Sequence, residues 1–270
     1  MKIFDFHCHV YPEAAAEKIS QSVANFYHVV RGRDIPDLNG SLSCVLEAQA
    51  EAGITKTLLS SAATTPFQVR HVNEFLARAA HASDGRCLAL GTLHPRSNDV
   101  EGDLEHLLDL GLLGIKLHPD MQGFALDELS CMKMFEAAGG RLPFLIHTGD
   151  RRFQRSNPDQ LIPALTRFPE TIFIGGHMGG FSNWIPYAER LIAGHYPNLY
   201  VDCSSTACAV DRQKFVELIR GYGAKQVLFG TDYPMWQPKE ELDKILALPL
   251  TGEEQRMILW ENAIRLLKLS

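Results

Sequence analysis

The sequence predicts a single (β/α)8 barrel, the TIM-barrel class of α/β fold, on three observations. Short β-rich apolar runs alternate with amphipathic stretches of helical period, and there are eight such runs. The 270-residue length also matches the ~250 residues that one barrel typically needs. An open doubly wound sheet of eight strands is the alternative architecture. Residues 1–270 then read as one catalytic domain.

Strands are expected at 3–7, 55–61, 87–93, 114–118, 143–147, 171–176, 198–203 and 226–231. They are near-continuous apolar runs, TIFIGG and QVLFGT among them, as parallel strands covered on both faces require. Between them apolar residues recur three and four apart. Val72, Phe75, Leu76 and Ala79 mark one helix, Leu104, Leu107 and Leu108 a second, and Phe215, Leu218 and Ile219 a third. Ile258, Leu259, Ala263, Leu266 and Leu267 close the chain in the same rhythm. Gly53, Gly111, Gly139, Gly140, Pro169, Pro197 and Gly223 fall just before strands, where a helix should stop. One unit is longer. About fifty residues separate the first two strands, more than a single helix at 42–52 uses, so 11–40 is expected to be an insertion. On a barrel that position opens onto the catalytic face, where loops set specificity. Its Tyr27, His28, Arg31 and Arg33 are candidate substrate contacts, with a solvated charged loop as the equal alternative.

Composition narrows the function. The chain is 46% hydrophobic and 21% charged, with a formal net charge of −6, values ordinary for a globular protein with a large core. That balance, with no basic run, leaves no footprint for nucleic acid or an anionic membrane. No apolar stretch approaches the ~18 residues of a membrane helix. Met1 leads straight into Lys2-Ile3-Phe4-Asp5-Phe6, without an export signal. Cys8, Cys44, Cys87, Cys131, Cys203 and Cys208 form no CxxC pair and read as reduced thiols. The expectation is a soluble cytoplasmic enzyme whose partner is a small-molecule substrate, with homo-oligomerisation left open.

The strongest chemical feature ends the first strand, at Asp5-Phe6-His7-Cys8-His9. Alternate side chains on a strand share a face, so His7 and His9 point the same way and can chelate one ion. His147 follows PFLI at the end of the fifth strand, His177 follows TIFIGG at the sixth, and Asp232 follows QVLFGT at the eighth. On a barrel those strand ends converge on one mouth. His71, His81, His106 and His195 fall elsewhere and read as surface or packing residues. Three imidazoles, a carboxylate and an open position suit Zn²⁺, and Mn²⁺, Fe²⁺ or Co²⁺ fit N/O ligands as well. Lys116 and His118 share a face at the end of the fourth strand. With Arg151 and Trp236 they are candidate substrate contacts, the arginine because a guanidinium fork grips a carboxylate. His94, Asp202, Ser204, Ser205 and Arg152 are weaker candidates of the same kind.

The motifs DFHCH, GIKLHP, LIHTG, GGHMGG and FGTDYP run in this order from the first strand to the last. Together they resemble the amidohydrolase superfamily, and within it the amidohydrolase-related group that includes aminocarboxymuconate semialdehyde decarboxylase. The resemblance implies a metal-dependent enzyme in which His7, His9, His147 and Asp232 bind one divalent ion. It implies that His177 is the acid/base histidine, at most a weak metal ligand, and that Asp232 doubles as a proton acceptor. Related two-metal barrels carry a bridging carboxylate on strand four, often a carboxylated lysine. Lys116 therefore bridges a second ion as a carbamate, grips an anionic substrate as an ammonium, or fills the barrel's top layer.

The first expectation is hydrolysis of an amide, lactone or ester of a small organic acid. Water activated by the metal attacks, and His177 or Asp232 moves the proton. The alternative on the same site is non-oxidative decarboxylation of a small aromatic or unsaturated acid, with Asp232 protonating carbon. A barrel that only binds a small molecule is the third reading. His177 is expected to titrate near the ordinary imidazole value of about 6.5 and to shape one limb of a pH–rate profile.

Overall fold

The computed structural model describes residues 1–27, 38–181 and 184–269. His28, Arg31 and Arg33 of the insertion lie outside the described residues. The apolar runs form parallel strands: β1 (Phe4–His9), β2 (Lys56–Ser60), β3 (Cys87–Ala89), β4 (Gly91–Thr92), β5 (Ile115–Leu117), β6 (Phe144–Ile146), β7 (Phe173–Gly175), β8 (Leu199–Asp202) and β9 (Val227–Leu228). Each pairs in parallel with the next along two sheets, β1 to β3 and β4 to β9. β3 and β4 are one strand interrupted at Leu90, whose N–H donates to Leu59 O while Leu113 N donates to Ala89 O.

The other seam closes the ring. Phe6 N donates to Phe229 O at 2.8 Å, Asp232 N to His7 O at 2.7 Å and His9 N to Tyr233 O at 2.8 Å. Strand one therefore meets the last strand, and the sheet is a closed barrel rather than an open doubly wound one.

The helices are α1 (Ala16–Tyr27), α2 (Leu42–Glu51), α3 (Val69–His81), α4 (Val100–Asp109), α5 (Pro119–Gln122), α6 (Leu129–Ala138), α7 (Pro158–Arg167), α8 (Trp184–Gly194), α9 (Arg212–Tyr222), α10 (Pro238–Leu246), α11 (Gly252–Arg256) and α12 (Asn262–Leu266). Their buried faces follow from sequence spacing. α3 buries Val69, Asn73, Leu76 and Ala79, one stripe of a 3.6-residue helix. Side-chain caps fix several starts: Asp99 accepts from Gly102 N at 2.9 Å and Asp211 from Lys214 N at 2.8 Å. The periodic tail is not one uniform helix, because Met257–Glu261 is π-helical between α11 and α12. Among the described residues no helix is long and apolar enough to cross a membrane.

The barrel has two apolar layers. Phe4, Phe6, Leu58, Leu90, Leu145, Ile174 and Leu228 fill its inside with Ala263, while residues such as Leu59, Ile115, Leu117, Phe144 and Val201 pack outward. β1 needs both its phenylalanines and its histidines on the inner face, which strict alternation forbids. A bulge resolves the conflict. Asp5 pairs with Thr57 but Cys8 with Leu59, three residues against two. Phe4 and Phe6 stay in the inner layer, Cys8 and Val10 join the outer one, and His7 and His9 turn into the mouth.

The fully buried Asp5 clamps this bulge to the last strand. Its carboxylate accepts from His7 N (3.2 Å), Thr231 N (3.0 Å), Thr231 Oγ1 (2.6 Å) and Gln49 Nε2 (2.7 Å). Burial pushes its pKa up to about 7 against those four donors. At Gly230 a Cβ would stand 2.7 Å from His7 Cβ, so the neighbouring strand end stays bare to admit the histidine.

Candidate active site

Strand ends deliver the polar residues to one place. His7 and His9 come from β1, Lys116 from β5 and Asp202 from β8, while His118, His147, His177 and Asp232 follow β5, β6, β7 and β9. His9 is half-buried and the others are buried.

His9 Nε2 lies 3.1 Å and His7 Nε2 3.7 Å from Asp232 Oδ1. Ligand atoms held tetrahedrally at about 2.0–2.1 Å from one ion stand roughly 3.3 Å apart. Two of the separations are near that value and all three ligand atoms lie within 4.8 Å of one another, and the mixed N/O donor set suits a divalent ion such as zinc or manganese. His7, His177 and Asp202 form a second close group among the described residues, but a hydroxyl fills it. Ser204 Oγ lies 3.2 Å from His7 Nδ1 and 2.9 Å from His177 Nδ1, and it donates to Asp202 Oδ1. That second group is a completed hydrogen-bond network.

Asp202 orients the first candidate ligand. Its Oδ2 lies 2.8 Å from His7 Nδ1, so the imidazole keeps its proton there and turns Nε2 toward Asp232. Burial alone raises the pKa of Asp202, but the His7 ring beside it holds the carboxyl well below the usual range. Asp232 is held low in the same way, by His177, His9 and His7 against the cost of burial. Ser205 Oγ donates to Asp232 Oδ2 at 2.6 Å, and Trp236 Nε1 donates to Ser205 Oγ at 2.7 Å.

The remaining predicted residues fall into place unevenly. His147 stands with His177 rather than in the tight His7–His9–Asp232 group. Its Nδ1 is 3.0 Å from His177 Nε2, and its Nε2 is buried without a hydrogen-bond partner, 3.8 Å from Asp120 Oδ2. That orphaned nitrogen is the second mark of a site built for a further bonding partner. His177 stacks on His7 with ring centroids 5.1 Å apart. Burial pushes its pKa down to about 4, which corrects the expectation of a histidine titrating near 6.5.

Lys116 is fully buried with Nζ 2.8 Å from His7 Nε2, and burial lowers its pKa to about 8. Its described contact is with the candidate metal ligand His7. Arg151 is exposed and is not among the described lining residues of the cavity. Gly149, at φ +90° and with Gly180 Cα 2.6 Å from where a Cβ would be, begins a turn that carries the arginines outward. Arg152 is captured there by Asp150 at 2.7 Å. Trp236 acts on Asp232 through Ser205 and does not line the cavity.

Sequence reasoning undervalued Asp202. Alternation along β8 was the available signal, since Leu199 and Val201 pack outward and Asp202 therefore faces in.

These groups open on a cavity of about 100 Å³. His9, His118, His147, His177, Ser205 and Asp232 are its main polar lining, and Tyr11, Ile19, Val23, Tyr27, Met121, Phe181 and Met235 make most of the rest apolar. No arginine is among the described lining residues.

The amidohydrolase family profile matches residues 4–269. The chain belongs to the amidohydrolase family. It is an enzyme of that superfamily, and several solved structures share its barrel. It is similar to an uncharacterized TIM-barrel protein from Bordetella bronchiseptica, at 21% identity and TM-score 0.81, covering 99% of both chains. It is also similar to 5-carboxyvanillate decarboxylase from Sphingomonas paucimobilis, at 17% identity and TM-score 0.73, over 100% of this chain and 99% of that one. A third is a dihydroxybenzoic acid decarboxylase from a Polaromonas species with bound manganese and 2-nitroresorcinol, at 18% identity and TM-score 0.71, over 99% and 97%. At these identities the likeness establishes the fold of this amidohydrolase. No curated protein sequence matches the chain.

Proposed function

We propose that this amidohydrolase is a metal-dependent lyase that removes carbon dioxide, without an oxidant, from a small aromatic or unsaturated carboxylic acid. The observation that carries the reading is the make-up of the cavity: His9 and Asp232 face a mostly apolar wall of Tyr11, Ile19, Val23, Phe181 and Met235, which suits a small acid whose carboxylate leaves as neutral carbon dioxide. Hydrolysis was the first expectation from sequence. Two of the similar structures are decarboxylases by their own descriptions, which supports the same choice.

His7, His9 and Asp232 hold the ion in this reading, with His147 as the further candidate. Manganese is as well supported as zinc, given the manganese in the Polaromonas enzyme. A divalent ion bound there supplies positive charge for an anionic oxygen of the substrate. The apolar wall of Tyr11, Ile19, Val23, Phe181 and Met235 disfavours a buried carboxylate relative to neutral carbon dioxide. His177 and Asp232 are both unprotonated near pH 7, given their lowered pKa values. The proton that replaces the carboxyl group on carbon must therefore enter with the substrate or from solvent. Asp232, with Oδ1 toward His9 and Oδ2 on Ser205, is placed to hold it and pass it on.

The test is a panel of hydroxybenzoic and unsaturated acids offered to manganese-loaded and zinc-loaded protein, with carbon dioxide release and deuterium incorporation from D₂O as readouts. A matched panel of lactones and amides runs beside it. Turnover of a lactone or amide, with no carbon dioxide from any acid, would return the hydrolase reading.

A further inference from the structure

One wall of the cavity carries a polar pair that the chemistry just described does not use. α1, in the insertion after β1, turns Ile19, Val23 and Tyr27 into the cavity at intervals of four residues, a single stripe of the helix. Its end is fastened to the loop after β6. Arg152 Nη1 donates to Phe26 O at 2.5 Å, and the guanidinium lies 4.9 Å from the Phe26 ring centroid and 5.1 Å from that of Tyr27. The Tyr27 ring meets Phe181 edge-on at 4.9 Å. These contacts carry the phenol oxygen to His118, 2.8 Å from Nε2 and 3.4 Å from Nδ1. His118 is held from behind as well: its N–H donates to Gln122 Oε1 at 2.7 Å, and the Gln122 amide donates to Ala63 O and Leu93 O.

The proton count of this pair does not close. A neutral imidazole has one N–H and one lone pair, and a phenol has one O–H. If Tyr27 donates to His118, the imidazole N–H is left over. If His118 donates to Tyr27, the phenol O–H is left over. Among the described residues the His118 ring and the Tyr27 hydroxyl hydrogen-bond only to each other, and both residues line the cavity. Either tautomer leaves one donor for whatever occupies it.

We propose that Tyr27 and His118 form a specificity pair, an uncharged donor that selects an uncharged oxygen (hydroxyl, ether or carbonyl) on the substrate's ring. One neutral donor among apolar walls does not compensate the burial of a second carboxylate. The preferred ligand is therefore a monoacid bearing a neutral oxygen. This inference rests on the cavity being the substrate site.

Binding alone tests it. Benzoate, 3-hydroxybenzoate, 4-hydroxybenzoate and 3-methoxybenzoate are titrated calorimetrically into manganese-loaded wild type, Tyr27→Phe and Tyr27→Phe/His118→Phe. At least one oxygenated probe should bind wild type about three- to ten-fold more tightly than benzoate, the usual worth of one hydrogen bond. The advantage, taken as the ratio to benzoate within each protein, should shrink in Tyr27→Phe, where the imidazole loses its fixed partner, and vanish in the double variant. An equal advantage in the double variant, or none in wild type, overturns the pair. If the double variant does not fold, an undiminished advantage in Tyr27→Phe overturns it. A protein that binds the probes with this pattern but releases no carbon dioxide refutes the decarboxylase reading and leaves the pair standing.

Discussion

Asp202→Asn isolates the orientation of the first metal ligand from the ligand itself. Asp202 has no exposed surface. Its Oδ2 meets His7 Nδ1 at 2.8 Å, and its Oδ1 accepts from Ser204 N at 3.0 Å, His177 N at 3.2 Å and the Ser204 hydroxyl. Asparagine keeps the shape and one carbonyl oxygen, so Oδ1 and its backbone donors survive. The charge facing His7 does not. If the new amide NH₂ faces the ring, Nδ1 must become the acceptor and Nε2 carries the proton, the nitrogen that faces Asp232.

A hydrogen bond to a charged group contributes about 1.5–3 kcal/mol. Removing a partner behind a metal-binding histidine typically costs 10–100-fold in metal affinity, about 1.4–2.7 kcal/mol at 1.36 kcal/mol per decade. The two estimates agree, and the expected loss is 10–100-fold. Competition between the protein and a chelator, run with Mn²⁺ and Zn²⁺, measures it, with a thermal melt to confirm the fold. A folded Asp202→Asn protein with wild-type affinity for both ions would refute the claim that Asp202 sets the His7 ring.

Other expectations follow from the same geometry. His9→Ala and Asp232→Ala remove donor atoms themselves, so elemental analysis should find less metal in each than in Asp202→Asn; a full complement in either excludes it as a ligand. Burial pushes the His177 imidazole down to about 4, so the wild-type pH–rate profile should show no His177 limb near 6.5, and His177→Asn should leave its shape there unchanged. A limb near 6.5 that disappears in that variant would contradict the burial argument. Lys116 is lowered from 10.5 to about 8 by burial, so the unfolded chain binds the extra proton between those values. Stability of the metal-free protein should thus rise with pH across that window, by at most about 3 kcal/mol. Urea melts of wild type and Lys116→Met that run parallel from pH 7.5 to 10 would show that Lys116 does not titrate there.

Several residues show where sequence reasoning reached the site and where it stopped. His7, His9 and Asp232 were legible because strand ends on a barrel converge and because side chains two apart on a strand share a face. The exposed position of Arg151 was not, because charge and sequence proximity to His147 say nothing about the turn at Gly149. Lys116 was legible as an inward residue, but its contact with His7 lies across the barrel, 109 residues away in sequence. Asp202 was visible only as a polar residue at a strand end until its 2.8 Å contact with His7 showed its use.

By itself the sequence determined the barrel, the order of its strands and the family to which it belongs, because apolar periodicity and strand-end motifs are local signals that each segment carries alone. Tertiary structure decided which polar atoms meet. The slip between Asp5 and Cys8 that turns His7 and His9 inward is a matter of register against β2 and of a carboxylate shared with Thr231 and Gln49. The low pKa of His177 comes from burial by segments distant in the chain. So does the apolar wall of the cavity, to which α1 of the insertion contributes Ile19, Val23 and Tyr27. Desolvation and register are properties of neighbours, and only folding chooses them.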